Sequence, residues 1–166
     1  MHLRPFNEND QAAAIAAHRE MEGEFTFLFN WSDDVDWSDY LERLEKDRSG
    51  TDLGEDRVRA TLLGAQCDGV LVGRVSIRFE LNDFLAWRGG HIGYGVLERY
   101  RRRGLATNIL GQALNIAREN GVQRVLVTCD DRNVASARVI ERCGGVLEQV
   151  VAADSTDVAF RRYWFD

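Results

Sequence analysis

Apolar and polar positions recur along this chain with two different periods, and the switches between them set out its elements. From residue 105 to 119 the spacing is helical. Leu105, Ile109, Ala113, Ile116 and Ala117 line one stripe, and Asn108, Gln112, Asn115 and Glu119 face the other way. The same period returns in residues 38–48, where Tyr40, Leu41 and Leu44 sit among Asp39, Glu42, Arg43, Glu45 and Lys46. Ser49-Gly50-Thr51-Asp52 ends that helix. Residues 11–22 favour helix behind Asn9 or Asp10 as cap, and residues 133–142 form a further helix closed by Gly144-Gly145. Strand-like runs occupy residues 2–6, 57–67, 69–81, 90–97, 123–129, 146–152 and 158–164, with Asp68-Gly69 as a hairpin turn between two of them. Phe25, Phe27, Phe29 and Trp31 alternate with other residues but read as an aromatic loop, and residues 82–90 as a second loop carrying Phe84, Leu85 and Trp87. The order β-α-α-β-β-β-α-β-α-β-β predicts a three-layer α/β domain: a mixed central sheet of about seven strands with helices on both faces.

Length and charge narrow the function classes. With 166 residues and 45% hydrophobic content, the chain is expected to fold as a single domain over residues 1–166. Its net charge of −6 is unevenly spread. Residues 20–56 hold thirteen acidic against three basic side chains, a balance of −10, which leaves +4 for the remainder. An acidic protein with one arginine cluster is a poor match for a nucleic-acid backbone, which needs many spread contacts. Cys67, Cys129 and Cys143 form no CxxC pair, and His2, His18 and His91 have no metal-ligand spacing, so neither a disulfide framework nor a metal is expected. No signal-peptide core and no apolar run near the ~20 residues of a membrane span is present, so a cytoplasmic protein without a membrane partner is expected.

One stretch carries anion-binding chemistry. Residues 90–106 read as a strand, then the basic turn Arg101-Arg102-Arg103-Gly104, then the helix start Leu105-Ala106. A helix start offers unpaired N–H groups and the positive end of a dipole, and a glycine there allows close approach. Arg101-x-x-Gly104-x-Ala106 is similar to the Q/R-x-x-G-x-G/A signature of the GCN5-related N-acetyltransferase (GNAT) superfamily. Leu3-Arg4-Pro5-Phe6 before a capped helix also resembles the usual start of such chains. The resemblance implies that Arg101, Arg102, Arg103, Gly104, Leu105 and Ala106 hold the pyrophosphate of acetyl-CoA. It further implies that the pantetheine arm bonds to the main chain near Tyr94 and Val96, in a gap between that strand and residues 125–129. Gly93 and Gly95 fit a bulged strand there, the alternative being an edge strand that needs glycine to pack on a helix.

A second block, Asn133 to Gly145, resembles the family's later motif, with Asn133 and Ser136 on the cofactor side. Many members carry a tyrosine seven residues after that asparagine, thought to protonate the departing thiolate. Here Ile140 stands at that position, an arrangement closer to the ribosomal-protein and peptide N-terminal acetyltransferases. Ser136 either bonds the cofactor or bonds back to its own helix. His91 is the expected general base and Glu80 the alternative, because amine acetylation requires loss of an ammonium proton near neutral pH. Cys129 reads as a structural thiol. The expected reaction is direct acetyl transfer to a primary amine, small or peptidic, in a ternary complex; a non-catalytic acyl-CoA-binding module is the rival. The acidic residues 20–56 either concentrate a cationic amine or form a solvated face. Trp31, Trp37, Phe84 and Trp87 either wall the acceptor pocket or pack the core. The β-rich C-terminus makes a homodimer plausible from family habit.

Overall fold

A computed structural model describes residues 1–54, 56–152 and 158–166. Among them the chain runs β1 (His2–Pro5), α1 (Gln11–Glu20), α2 (Trp37–Ser49), β2 (Ala60–Cys67), β3 (Val70–Arg78), β4 (Ile92–Val96), α3 (Leu105–Glu119), β5 (Val125–Asp130), α4 (Val134–Arg142), β6 (Val146–Val151) and β7 (Phe160–Phe165). This is the order the hydrophobic pattern predicts. The β2–β3 hairpin turns at Asp68 and Gly69, with φ of 51° and 79°, the two left-handed residues that a tight hairpin of this twist demands.

The strands form two antiparallel sheets, β1-β2-β3-β4 and β5-β7-β6, rather than one continuous mixed sheet. They meet where β4 begins. The His91 N–H donates to the Leu126 carbonyl at 2.7 Å, and the Leu126 N–H donates to His91 Nδ1 at 2.9 Å. Gly90 makes that approach possible: its φ is +65°, and a Cβ there would lie 2.7 Å from the Leu126 oxygen. Past this joint no ladder connects β4 to β5 among the described residues, so one edge of β4 is left without a strand partner.

Helices cover both faces. Ile109, Leu110, Ala113 and Ala117 of α3, with Ala137 and Ile140 of α4, pack on Val75, Ile77, Ile92 and Val127. On the other face Ala14 and Ala17 of α1 and Trp37 and Tyr40 of α2 pack with Phe27, Leu28, Leu62 and Leu97. The two faces differ because residues alternate across a strand.

Several local expectations need correction. Asp10 caps nothing. Its carboxylate is buried and takes two bonds of 2.7 Å from Arg4, and Asn7 caps a short 3-10 turn before α1 instead. Residues 85–89 are a single π-helical turn rather than an open loop, held by Arg162 Nη1 on the Ala86 carbonyl at 2.6 Å and by the Thr128 hydroxyl on the Arg88 carbonyl. Glu80 lies beyond the end of β3 and is exposed, so it is not a strand residue. No described helix is long and apolar enough to cross a membrane.

Candidate active site

The turn before α3 is shaped by two left-handed residues, Arg102 at φ 64° and Gly104 at φ 77°. Gly104 stands at the cap position of α3, and no side chain caps the helix there. The first-turn N–H groups therefore face outward, with the positive end of a fifteen-residue helix behind them. They open onto a cleft of about 470 Å³.

Tyr94, Val96, Arg101, Arg102, Gly104, Leu105, Ala106, Asn133 and Ser136 all line this cleft. Two segments far apart in sequence are thus brought together by the β4–α3 and β5–α4 connections. The arginines divide their work. Arg101 is tied to the protein, its Nε donating to the Val96 carbonyl at 3.0 Å and its Nη2 to Glu24 at 2.7 Å, so it fixes the turn against β4. Arg102 is exposed at the rim, and Arg103 stacks on the Tyr100 ring at 5.8 Å and is not among the lining residues. Asn133 uses its side-chain oxygen to cap α4, accepting the Ser136 N–H at 2.9 Å.

Met21, Phe25, Tyr100, Thr107, Val139 and Arg142 also line the cleft, and sequence reasoning missed them. Val139 and Arg142 follow Ser136 at intervals of three, so the helical period held their signal. Phe25 comes from a loop and carried none.

The hydroxyl of Ser136 does not bond back to its helix. It lies 3.0 Å from the Tyr94 hydroxyl, a polar pair inside the cleft between β4 and α4. Burial pushes the Tyr94 phenol well above its ordinary value, so it stays protonated through the physiological range. Ile140, one turn further along α4, is completely buried. Burial likewise pushes the Cys129 thiol up to about 11, which leaves it a thiol rather than a thiolate nucleophile.

The reading of His91 as general base does not suit this arrangement. Its ring is buried at the joint between the sheets and does not line the cleft. Nδ1 already accepts the Leu126 N–H, so Nε2 carries the proton in the neutral ring and neither nitrogen is open to receive another. Burial lowers its pKa, and Arg78 acts in the same direction. Glu80 does not line the cleft either.

On the opposite face of β4 the two glycines are explained by what covers them. A Cβ on Gly95 would strike the Phe25 ring at 2.5 Å, and one on Gly93 would meet Arg78 Nη1 at 3.4 Å. Arg74, 1% exposed, lies between the rings of Phe25 and Phe29 at 4.0 and 4.5 Å. It donates to the carbonyls of Phe27 at 3.1 Å, Gly93 at 3.0 Å and Thr26. One guanidinium thus ties the aromatic loop to β4. Trp31 and Trp37 pack with Tyr40 inside the α1/α2 layer, while Phe84 and Trp87 are exposed. Four carboxylates of the acidic segment are paired with arginines: Glu20 with Arg99, Glu24 with Arg101, Asp33 with Arg19 and Asp47 with Arg57. Among the described residues no group of acidic, histidine and cysteine side chains is placed to hold a metal.

Helices on both faces of a divided sheet, with an uncapped helix start opening on the division, make an architecture with an anion site at its centre. Residues 1–146 match the model of the acetyltransferase (GNAT) domain, and the chain belongs to that family of acetyl-CoA-dependent enzymes. Solved structures share the fold. A ribosomal-protein-alanine N-acetyltransferase from Brucella melitensis is 19% identical with a TM-score of 0.69, covering 99% of each chain. The putative acetyltransferase yncA from Salmonella typhimurium, solved with acetyl-CoA, is 17% identical with a TM-score of 0.67, covering 99% of this chain and 92% of its own. The microcin C7 self-immunity acetyltransferase MccE, in complex with acetyl-CoA and AMP, is 20% identical with a TM-score of 0.68, covering 98% of this chain and 90% of its own. No curated protein matches the sequence.

Proposed function

We propose that this protein transfers the acetyl group of acetyl-CoA directly to a primary amine, with donor and acceptor bound together. The observation that carries the reading is the cleft itself: one end is an uncapped helix start beside Arg102, and the other holds the Tyr94–Ser136 hydroxyl pair. The α3 amides and Arg102 suit the pyrophosphate, and the unpaired edge of β4 near Tyr94 and Val96 suits an extended pantetheine arm lying alongside it like an added strand. Arg101 contributes by holding the turn in place, and Arg103 adds positive charge nearby.

In this reading the neutral amine attacks the thioester carbonyl, the C–N bond forms, the nitrogen proton passes to water, from which Tyr94 is afterwards reprotonated, and the C–S electron pair leaves on sulfur. The Tyr94 hydroxyl, steadied by Ser136, donates to that sulfur and supplies what a tyrosine at position 140 would supply. Main-chain N–H groups of β4 stabilise the oxyanion without reorganising. The three cysteines are free thiols, which fits a reducing cytoplasm. Release of CoA thiol, followed with acetyl-CoA and a panel of small amines and N-terminal peptides, tests the proposal. Acceptor-dependent release is expected. Tight acetyl-CoA binding without release for any acceptor would favour the non-catalytic module.

A further inference from the structure

On β3, residues 74, 76 and 78 point to the same face, the one turned away from α3 and α4. They are Arg74, Ser76 and Arg78, and they border the side-chain-free surface of Gly93, which pairs with Ser76 across the ladder. Arg78 Nη1 stands over Gly93, and its one hydrogen bond is a long 3.5 Å contact to the Gly89 carbonyl. Arg74 lies next to it and spends its donors on main-chain carbonyls. No carboxylate among the described residues answers either guanidinium. Ser76, 4% exposed, has a buried hydroxyl oxygen with no hydrogen-bond partner.

Two adjacent buried or half-buried cations and an unpartnered hydroxyl, arranged around a strand position with no side chain, form an incomplete site. Buried charge of one sign without a counter-charge is costly, and an unsatisfied buried hydroxyl adds to the cost. A carboxylate at this niche would satisfy both, accepting from the planar fork of Arg78 and from Ser76. A cationic side chain would be repelled from it.

We infer that the niche over Gly93, bounded by Arg78, Ser76 and Arg74, holds a carboxylate carried by the amine acceptor, which makes the acceptor an amino carboxylate. The inference rests on the acetyl-transfer reading, because Gly93 belongs to the strand along which that reading lays the thioester. The acetyl-accepting nitrogen would approach from the face of β4 opposite Tyr94, with the carboxylate anchored beside it. Of the acidic residues 20–56, Glu20, Glu24, Asp33 and Asp47 are each paired with an arginine away from the niche, and among the described residues none of the segment's carboxylates pairs with Arg74 or Arg78.

The test compares free amino acids, and short peptides with an acidic second residue, against the same compounds with the carboxylate converted to carboxamide. Turnover is followed by thiol release, and binding by calorimetry on protein saturated with CoA. The wild-type protein should favour the acid form of at least one pair by about tenfold or more, the loss expected when a charge-assisted bond is removed. Whether that pair is an amino acid or a peptide identifies the source of the carboxylate. Arg78→Gln should abolish the acid-over-amide preference through KM, with acetyl-CoA affinity retained, and Arg78→Lys should restore part of it. An unchanged acid-to-amide ratio in Arg78→Gln, a wild-type preference for amides, or a panel in which no acid form binds or reacts would each overturn the assignment. Retained acetyl-CoA binding in the same samples would show that the donor cleft stands independently of it.

Discussion

In the proposed mechanism Tyr94, a strand residue, takes the task that the family resemblance gives to a tyrosine on the helix after β5. Its hydroxyl reaches Ser136 across the gap between β4 and α4, while Ile140 is sealed in the core. Replacing Tyr94 with phenylalanine removes a proton donor without changing the shape of the cleft wall. Steady-state kinetics should show kcat falling by about a hundredfold, in the range of general acid catalysis, with the acetyl-CoA KM little changed. Unaltered kcat would remove Tyr94 from the chemistry. Sequence reasoning named Tyr94 for its main chain and Ser136 for its hydroxyl, yet their pairing was illegible, because forty-two residues separate them and only tertiary structure closes that distance. His91 failed for the reverse reason. Its residue type and position suggested a base, and nothing in the sequence showed that the Leu126 N–H would take its acceptor nitrogen.

At the scale of elements, the junction of the two sheets is the feature on which the cleft depends. His91 and Gly90 pin the start of β4 to β5, and the strands are unjoined past that point. The neutral His91 ring contributes stability because its folded pKa lies below the ordinary 6.5. That contribution is complete above about 6.5, since the ring is then neutral in both states. As pH falls below 6.5 and through the folded value, the unfolded chain takes up the proton first and stability drops. Denaturation curves between pH 7 and 5 should therefore be less pH-dependent in His91→Gln than in the wild type; parallel curves would contradict this role. The elements themselves were legible, since Leu105 to Glu119 and the Asp68-Gly69 hairpin carry strong periodic and turn signals. The gap between β4 and β5 was implied by the family resemblance rather than by the residues themselves. Nothing in the alternation of β4 or β5 tells whether their edges pair, and only the close approach at Gly90 decides it.

For the whole molecule, the proposed arrangement is a donor cleft along the unpaired edge of β4, with a cationic niche over Gly93 on the face of the strand opposite Tyr94. The uneven charge of the sequence suggested an acidic acceptor side facing a basic donor side. The structure joins some of the acidic segment to arginines, and one of these pairs, Glu24 with Arg101, stands at the cleft rim. Charge counted along the sequence could locate the donor turn, where three arginines are consecutive, but not Arg74 and Arg78, whose significance comes from burial without carboxylates. Everything depends on the donor turn holding a diphosphate. Calorimetric titration of coenzyme A into the wild-type protein and Arg102→Glu tests that most directly. One site per chain is expected, with affinity weakened by about tenfold or more in the variant as a cation beside the phosphates is reversed. No heat of binding to the wild-type protein, or equal affinity in both, would contradict it.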